Sequence, residues 1–125
     1  MSQQFSLKTI LDFAAAHTLN GYDGDCARLH GHNWKIEVEI IGSKLNKVGM
    51  AIDFKQIKKQ AKKVIVEIEH RYLNDHPHFQ NKNPTAANIA QFIYHQIQTK
   101  IESGMVKMYQ IIVWENKRNC VTYRE

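Results

Sequence analysis

Hydrophobic and polar residues alternate over residues 5–16. Phe5, Leu7, Thr9, Leu11 and Phe13 share one face, with Ser6, Lys8 and Asp12 on the other, a pattern that predicts a strand. Residues 20–25, Asn-Gly-Tyr-Asp-Gly-Asp, are polar and glycine-rich and read as a loop. Alternation then resumes: Ile36, Val38 and Ile40 oppose Lys35, Glu37 and Glu39, as in a strand buried on one side. The run from Gly42 to Gly49 turns the chain, and Asp53 can cap a helix. Ile57, Ala61, Val64, Ile65 and Ile68 follow at helical spacing. Residues 74–84 contain two prolines, three asparagines and two histidines and read as loop. Thr85 can cap a second helix with the stripe Ile89, Phe92, Ile93, Ile97 and Ile101, ended by Gly104. Residues 106–115 are β-rich, residues 116–119 form a tight turn, and residues 120–123 return as a strand.

The order ββααββ predicts an α+β fold, a four-stranded antiparallel sheet with two helices on one face. No repeat, linker or low-complexity segment divides the chain, so residues 1–125 are expected to form one domain. Four strands leave two open sheet edges, which favours self-association by edge pairing.

Composition narrows the function classes. Hydrophobic content of 43% and charged content of 23% belong to a globular protein. No apolar run approaches the ~18 residues of a membrane helix, and the N-terminus lacks the pattern of a signal peptide. A cytoplasmic location with no membrane partner is the expectation, and Cys26 and Cys120 are then read as thiols. Cys120, in an apolar strand-like run, is expected to be a small buried hydrophobe. The formal charge of +5 fits a nucleic-acid ligand or a phosphorylated small substrate. Scattered lysines, as in Lys-Gln-Ile-Lys-Lys-Gln-Ala-Lys-Lys, read more simply as a solvated helix face. Acidic patches, and the lack of interleaved basic and aromatic residues, argue against nucleic acid.

Candidate chemistry concentrates in Cys26-Ala27-Arg28-Leu29-His30-Gly31-His32. Residues i and i+2 of a strand face the same side, so His30 and His32 can present two imidazoles together. Three protein ligands plus an open position make a catalytic zinc site. If the first two strands pair, His17 comes within reach as the third donor. A lone His-x-His also arises by chance on surface strands. On bare sequence, Glu115 reads as a solvated carboxylate at a strand end, and His70 equally as a helix-end residue or a catalytic one. Cys26 precedes the histidine pair in a polar loop. His76 and His78 read as loop residues, and His95 as an exposed helix residue.

Several pieces recur in order along nearly the whole chain: Phe13-x-Ala15-Ala16-His17, Cys26-x3-His30-Gly31-His32, Gly49-Met50-x-Ile52-Asp53-Phe54, His70-x2-Leu73-Asn74, Asn83-Pro84-Thr85 and Val113-x-Glu115. This combination resembles the 6-pyruvoyl-tetrahydropterin synthase family, including its bacterial 6-carboxy-tetrahydropterin synthases. The resemblance implies a tunnelling fold and zinc held by His17, His30 and His32. It implies Cys26 as general base, and His70, with Glu69 beside it, in a proton relay. Glu115 would anchor a pterin ring, and Thr85 would help to bind substrate. It further implies a pterin triphosphate substrate and a homohexamer in which three subunits close a β-barrel and two trimers stack.

Two positions depart from the family pattern. Glu69 stands where Asp is usual, and Ala87 stands where a glutamate usually follows Pro-Thr-x. The short gap from Cys26 to His30 resembles the bacterial, carboxy-forming branch of 7-deazaguanine (queuosine) synthesis. The rivals are the pyruvoyl-forming synthase, a folate-pathway variant that tends to carry glutamate in place of the cysteine, and a zinc- or nucleic-acid-binding module without catalysis.

Overall fold

A computed structural model describes residues 3–125. The element order is β1 (Phe5–His17), β2 (His30–Gly42), α1 (Phe54–Ile65), α2 (Ala86–Ile101), β3 (Val106–Trp114) and β4 (Cys120–Tyr123). The four strands pair antiparallel in the order β1-β2-β3-β4, so the α+β expectation holds.

Alternation explains the layers. Ile36, Val38 and Ile40 of β2 point toward the helices and are wholly buried, as are Ile57 and Val64 of α1 and Ile93 of α2. These residues form one core with Phe13, Trp34, Ile111 and Val113. Both helices start where the sequence places their caps. The Asp53 carboxylate accepts from the Lys55 backbone N–H, and the Thr85 hydroxyl accepts from that of Asn88. The far face of the sheet is polar but organised. The Lys8 ammonium lies 3.1 Å from the Glu37 carboxylate, which also accepts from the Trp114 indole at 2.5 Å. The Lys8 pair and the indole bond hold the Glu37 carboxyl below its usual range despite burial.

Four local expectations change. Cys120 is exposed, because β4 is an edge strand and Cys120, paired with Trp114, lies on the face away from the helices. Helix α2 stops at Ile101 with an extended Glu102, and Gly104 sits beyond it in the turn before β3. Residues 74–84 are not plain loop. Short 3-10 turns at Leu73–Asp75 and Pro77–Phe79 bury Leu73 and Phe79, and the rings of His76 and His78 pack on Phe92 at 5.2 and 4.7 Å. His95 is only half exposed and bonds the Glu125 carboxylate.

Candidate metal centre and active site

The site lies where β1 ends and β2 begins. The β1–β2 register sets His17 opposite His30 and Ala15 opposite His32. Since His30 and His32 are two residues apart on one strand, all three imidazoles leave the same face. The His17 and His30 Nε2 atoms stand 2.8 Å apart. Beneath them lies Trp34, wholly buried, its ring edge-on to His17 and His32 at 5.1 Å in each case.

The outer nitrogens fix the ring states. His17 Nδ1 is 2.8 Å from the Pro84 carbonyl, and His30 Nδ1 is 2.7 Å from the Arg28 carbonyl. A carbonyl only accepts, so each Nδ1 carries the proton and donates it. In the neutral rings Nε2 is then a lone pair facing inward. Two such lone pairs at 2.8 Å repel unless a cation lies between them. His32 Nε2 is buried with no hydrogen-bond partner. It lies 3.5 Å from the Glu115 carboxylate, too long for a hydrogen bond. An orphaned buried nitrogen is costly in a metal-free protein and is the expected state of an uncoordinated ligand.

Electrostatics favour the same form. Burial pushes His17 below the ordinary histidine value, against the opposing bond to Pro84. It does the same to His32, where the Glu115 carboxylate opposes. Neutral imidazole is the metal-binding state. The ligand atoms of His17, His30, His32 and Glu115 all lie within 4.8 Å of one another, a group that can hold a metal ion.

The other sequence-derived candidates surround this centre at different depths. Cys26 is half-buried on the 3-10 turn Asp25–Ala27, and its carbonyl accepts from the Leu19 N–H at 3.1 Å. Its thiol is not among the clustered metal-ligand atoms. His70 is exposed and has φ of 57°, a left-handed conformation uncommon outside glycine. Its N–H donates to the Ala14 carbonyl at 2.6 Å, which ties the segment after α1 to β1. Glu69 reaches to 3.7 Å from His70 Nε2, so the longer side chain still approaches the imidazole. Thr85 caps α2, and Ala87 is exposed in its first turn and offers no acceptor.

Two hollows open beside the cluster. One, of about 440 Å³, is lined by Ala14 to Ala16, His32, His70 and Arg71. The other, of about 450 Å³, runs past His32, Lys35, Trp114, Glu115 and Lys117. Both match the size of small-molecule sites, and His32 borders each of them.

Sequence reasoning missed the groups that hold the site together. The Asn74 side-chain amide clamps the Thr18 backbone, accepting from its N–H at 2.9 Å and donating to its carbonyl at 3.0 Å. Asn83 does the same to Asn20, at 2.8 Å in both directions. The loop carrying Cys26 is thereby pinned at its origin. The three asparagines of residues 74–84 were the available signal. Residue type alone does not reveal that the Pro84 carbonyl orients His17 or that Trp34 lies under the histidines.

Comparison with known proteins identifies the family. The model of the 6-pyruvoyl tetrahydropterin synthase family matches residues 6–125, and the chain belongs to that family. A 6-carboxy-5,6,7,8-tetrahydropterin synthase of Haemophilus influenzae is 30% identical, over 97% of this chain and 99% of the relative. A 6-pyruvoyl tetrahydrobiopterin synthase of Dictyostelium discoideum is 31% identical, over 81% and 74%. The solved structure of Caenorhabditis elegans 6-pyruvoyl tetrahydropterin synthase superposes with a TM-score of 0.87 at 22% identity, covering 99% of this chain and 97% of that one. The fold is therefore the tunnelling fold of this family.

Proposed function

We propose that the protein is a zinc-dependent 6-carboxy-5,6,7,8-tetrahydropterin synthase. It takes 7,8-dihydroneopterin triphosphate and one water and yields 6-carboxy-5,6,7,8-tetrahydropterin, acetaldehyde and triphosphate, a step toward 7-deazaguanine (queuosine) products. The observation that carries this reading is the convergence of the Nε2 atoms of His17, His30 and His32 in a chain of this family, two of them turned inward as lone pairs by their outer hydrogen bonds. Several relatives named as carboxy-forming synthases, from Haemophilus influenzae, Aquifex aeolicus and Bacillus subtilis, support the choice of branch. The Cys26-x3-His30 spacing supports it too.

His17, His30 and His32 would hold the metal, and the donor set fits: burial favours the neutral ring at His17 and His32, and the outer nitrogens of His17 and His30 are already engaged. Zinc there supplies Lewis acidity toward the hydroxyls of the substrate side chain. The remaining work falls to side chains. The Cys26 thiolate takes a proton from carbon beside the ring. His70, with Glu69 at 3.7 Å, passes protons on the solvent side. Glu115, with two acceptor oxygens, takes hydrogen bonds from the ring N–H and the exocyclic amine, and Thr85 borders the substrate. The redox change is internal: the side chain is oxidised as the dihydropterin ring is reduced, so no external redox cofactor is needed.

The reading includes assembly. Edge strands β1 and β4 leave the sheet open, and three copies would close it into a barrel, with two such rings stacked as a homohexamer. It places the enzyme in the cytoplasm, with no nucleic acid or membrane as partner. Among the described residues, no helix is long and apolar enough to cross a membrane.

Mass spectrometry of the products from zinc-loaded protein and 7,8-dihydroneopterin triphosphate tests the reaction. The expected products are 6-carboxy-tetrahydropterin and acetaldehyde in equal amounts. A pyruvoyl product would move the protein to the other branch, and unchanged substrate would overturn the catalytic reading.

A further inference from the structure

We infer that Glu115 is the fourth ligand of the metal centre while substrate is absent, and that substrate displaces it. This deepens the reading above and rests on zinc being held by the three histidines.

Glu115 follows β3 directly, and its N–H donates to the Asn119 carbonyl at 3.1 Å, closing the turn into β4. Because Trp114 pairs with Lys35, Glu115 comes next to Trp34, two residues from His32 along β2. From there the carboxylate reaches inward. One oxygen, Oε1, lies 3.6 Å from His17 Nε2 and 3.5 Å from His32 Nε2. These distances are too long for hydrogen bonds, but they have another meaning. A tetrahedral zinc with nitrogen and oxygen ligands at ~2.0–2.2 Å has ligand-to-ligand edges of about 3.3–3.6 Å. From His17 and His32, Oε1 therefore stands at the separation of two ligands on one ion; the His17–His30 edge, at 2.8 Å, is shorter, and all four ligand atoms lie within 4.8 Å.

The surroundings leave the carboxylate little else to do. Lys35 and Lys117 line the same hollow, yet the ion-pair partners of Glu115 among the described residues are imidazoles. His32 Nε2, buried without a hydrogen-bond partner, faces the same point. A carboxylate oxygen grouped with three imidazole nitrogens is matched by a divalent ion between them.

The same side chain is the proposed acceptor for the pterin ring, and with Oε1 on the metal only one of its two oxygens is left free for the paired N–H donors of the ring. Substrate entry would exchange one for the other. A side-chain oxygen of the substrate takes the ligand position, and the freed carboxylate turns to the ring N–H groups. The exchange would keep the ion four-coordinate before binding and couple ring recognition to opening of the metal.

The test uses full-length protein without substrate, loaded with zinc or with cobalt(II), as wild type, Glu115→Gln and Glu115→Asp. Chelator competition should show zinc bound more weakly in Glu115→Gln by at least the ~10–100-fold that loss of an outer-shell partner causes. Glu115→Asp should fall between Glu115→Gln and wild type. The visible bands of the cobalt form should be intense, as for four ligands, in wild type and weaker in Glu115→Gln. Unreactive neopterin should shift the wild-type bands. Equal zinc affinity and identical cobalt spectra in wild type and Glu115→Gln overturn the inference and leave the three-histidine site standing. Wild-type bands unmoved by saturating neopterin overturn the displacement. Wild-type protein that binds no zinc overturns the underlying reading, and the inference with it.

Discussion

His17→Ala is expected to remove zinc from the protein and also to lower the stability of the metal-free fold by about 2–4 kcal/mol. Both effects follow from one side chain. His17 is wholly buried, with its Nδ1–H donated to the Pro84 carbonyl and its ring against Trp34. Truncation opens a cavity above the indole and leaves that carbonyl without its donor. His30→Ala should lose the metal equally, but at little cost to the metal-free fold, because His30 is half exposed at the start of β2. Metal analysis together with thermal unfolding in excess chelator separates the two variants. Full zinc in either one would contradict the ligand assignment. Equal melting temperatures for both would contradict the structural role given to His17.

Cys26→Ala is expected to lower kcat by about 10²–10⁴-fold, the usual worth of a positioned general base, while zinc content and melting temperature stay at wild-type values. The separation is possible because the thiol lies outside the group of metal-ligand atoms. Its turn is held by backbone contacts, such as Leu19 N–H to the Cys26 carbonyl, that the substitution preserves. Cys26→Ser should recover little, since a hydroxyl ionises far less readily than a thiol near neutral pH. Steady-state kinetics on zinc-loaded protein decides the matter. A kcat equal to wild type would rule out the base role.

Strand and helix positions were legible where the sequence repeats a simple period. Alternation over β1 and β2 fixes which residues face the helices. It also gives the pairing that sets His17 against His30, once the loop between them is recognised from its glycines. Asp53 and Thr85 announce the helix starts because few other side chains can satisfy free N–H groups there. What stayed hidden depends on neighbours far along the chain. Cys120 sits in an apolar-looking run, yet its exposure is decided by β4 being the last strand of the sheet. His76 and His78 pack on Phe92, sixteen and fourteen residues away, which no local pattern encodes. Glu115 is one carboxylate among 12 acidic residues, and only the β2–β3 register carries it to the histidines. The Pro84 carbonyl that orients His17 belongs to the backbone and leaves no trace in residue type.

The central claim is that the ends of β1 and β2 form a zinc centre. Anomalous scattering at the zinc edge, from crystals grown without substrate, tests it most directly. The account predicts one strong peak per chain, ~2.0–2.1 Å from the Nε2 atoms of His17, His30 and His32. A zinc-loaded crystal with no peak there, or with its metal bound elsewhere, would contradict it.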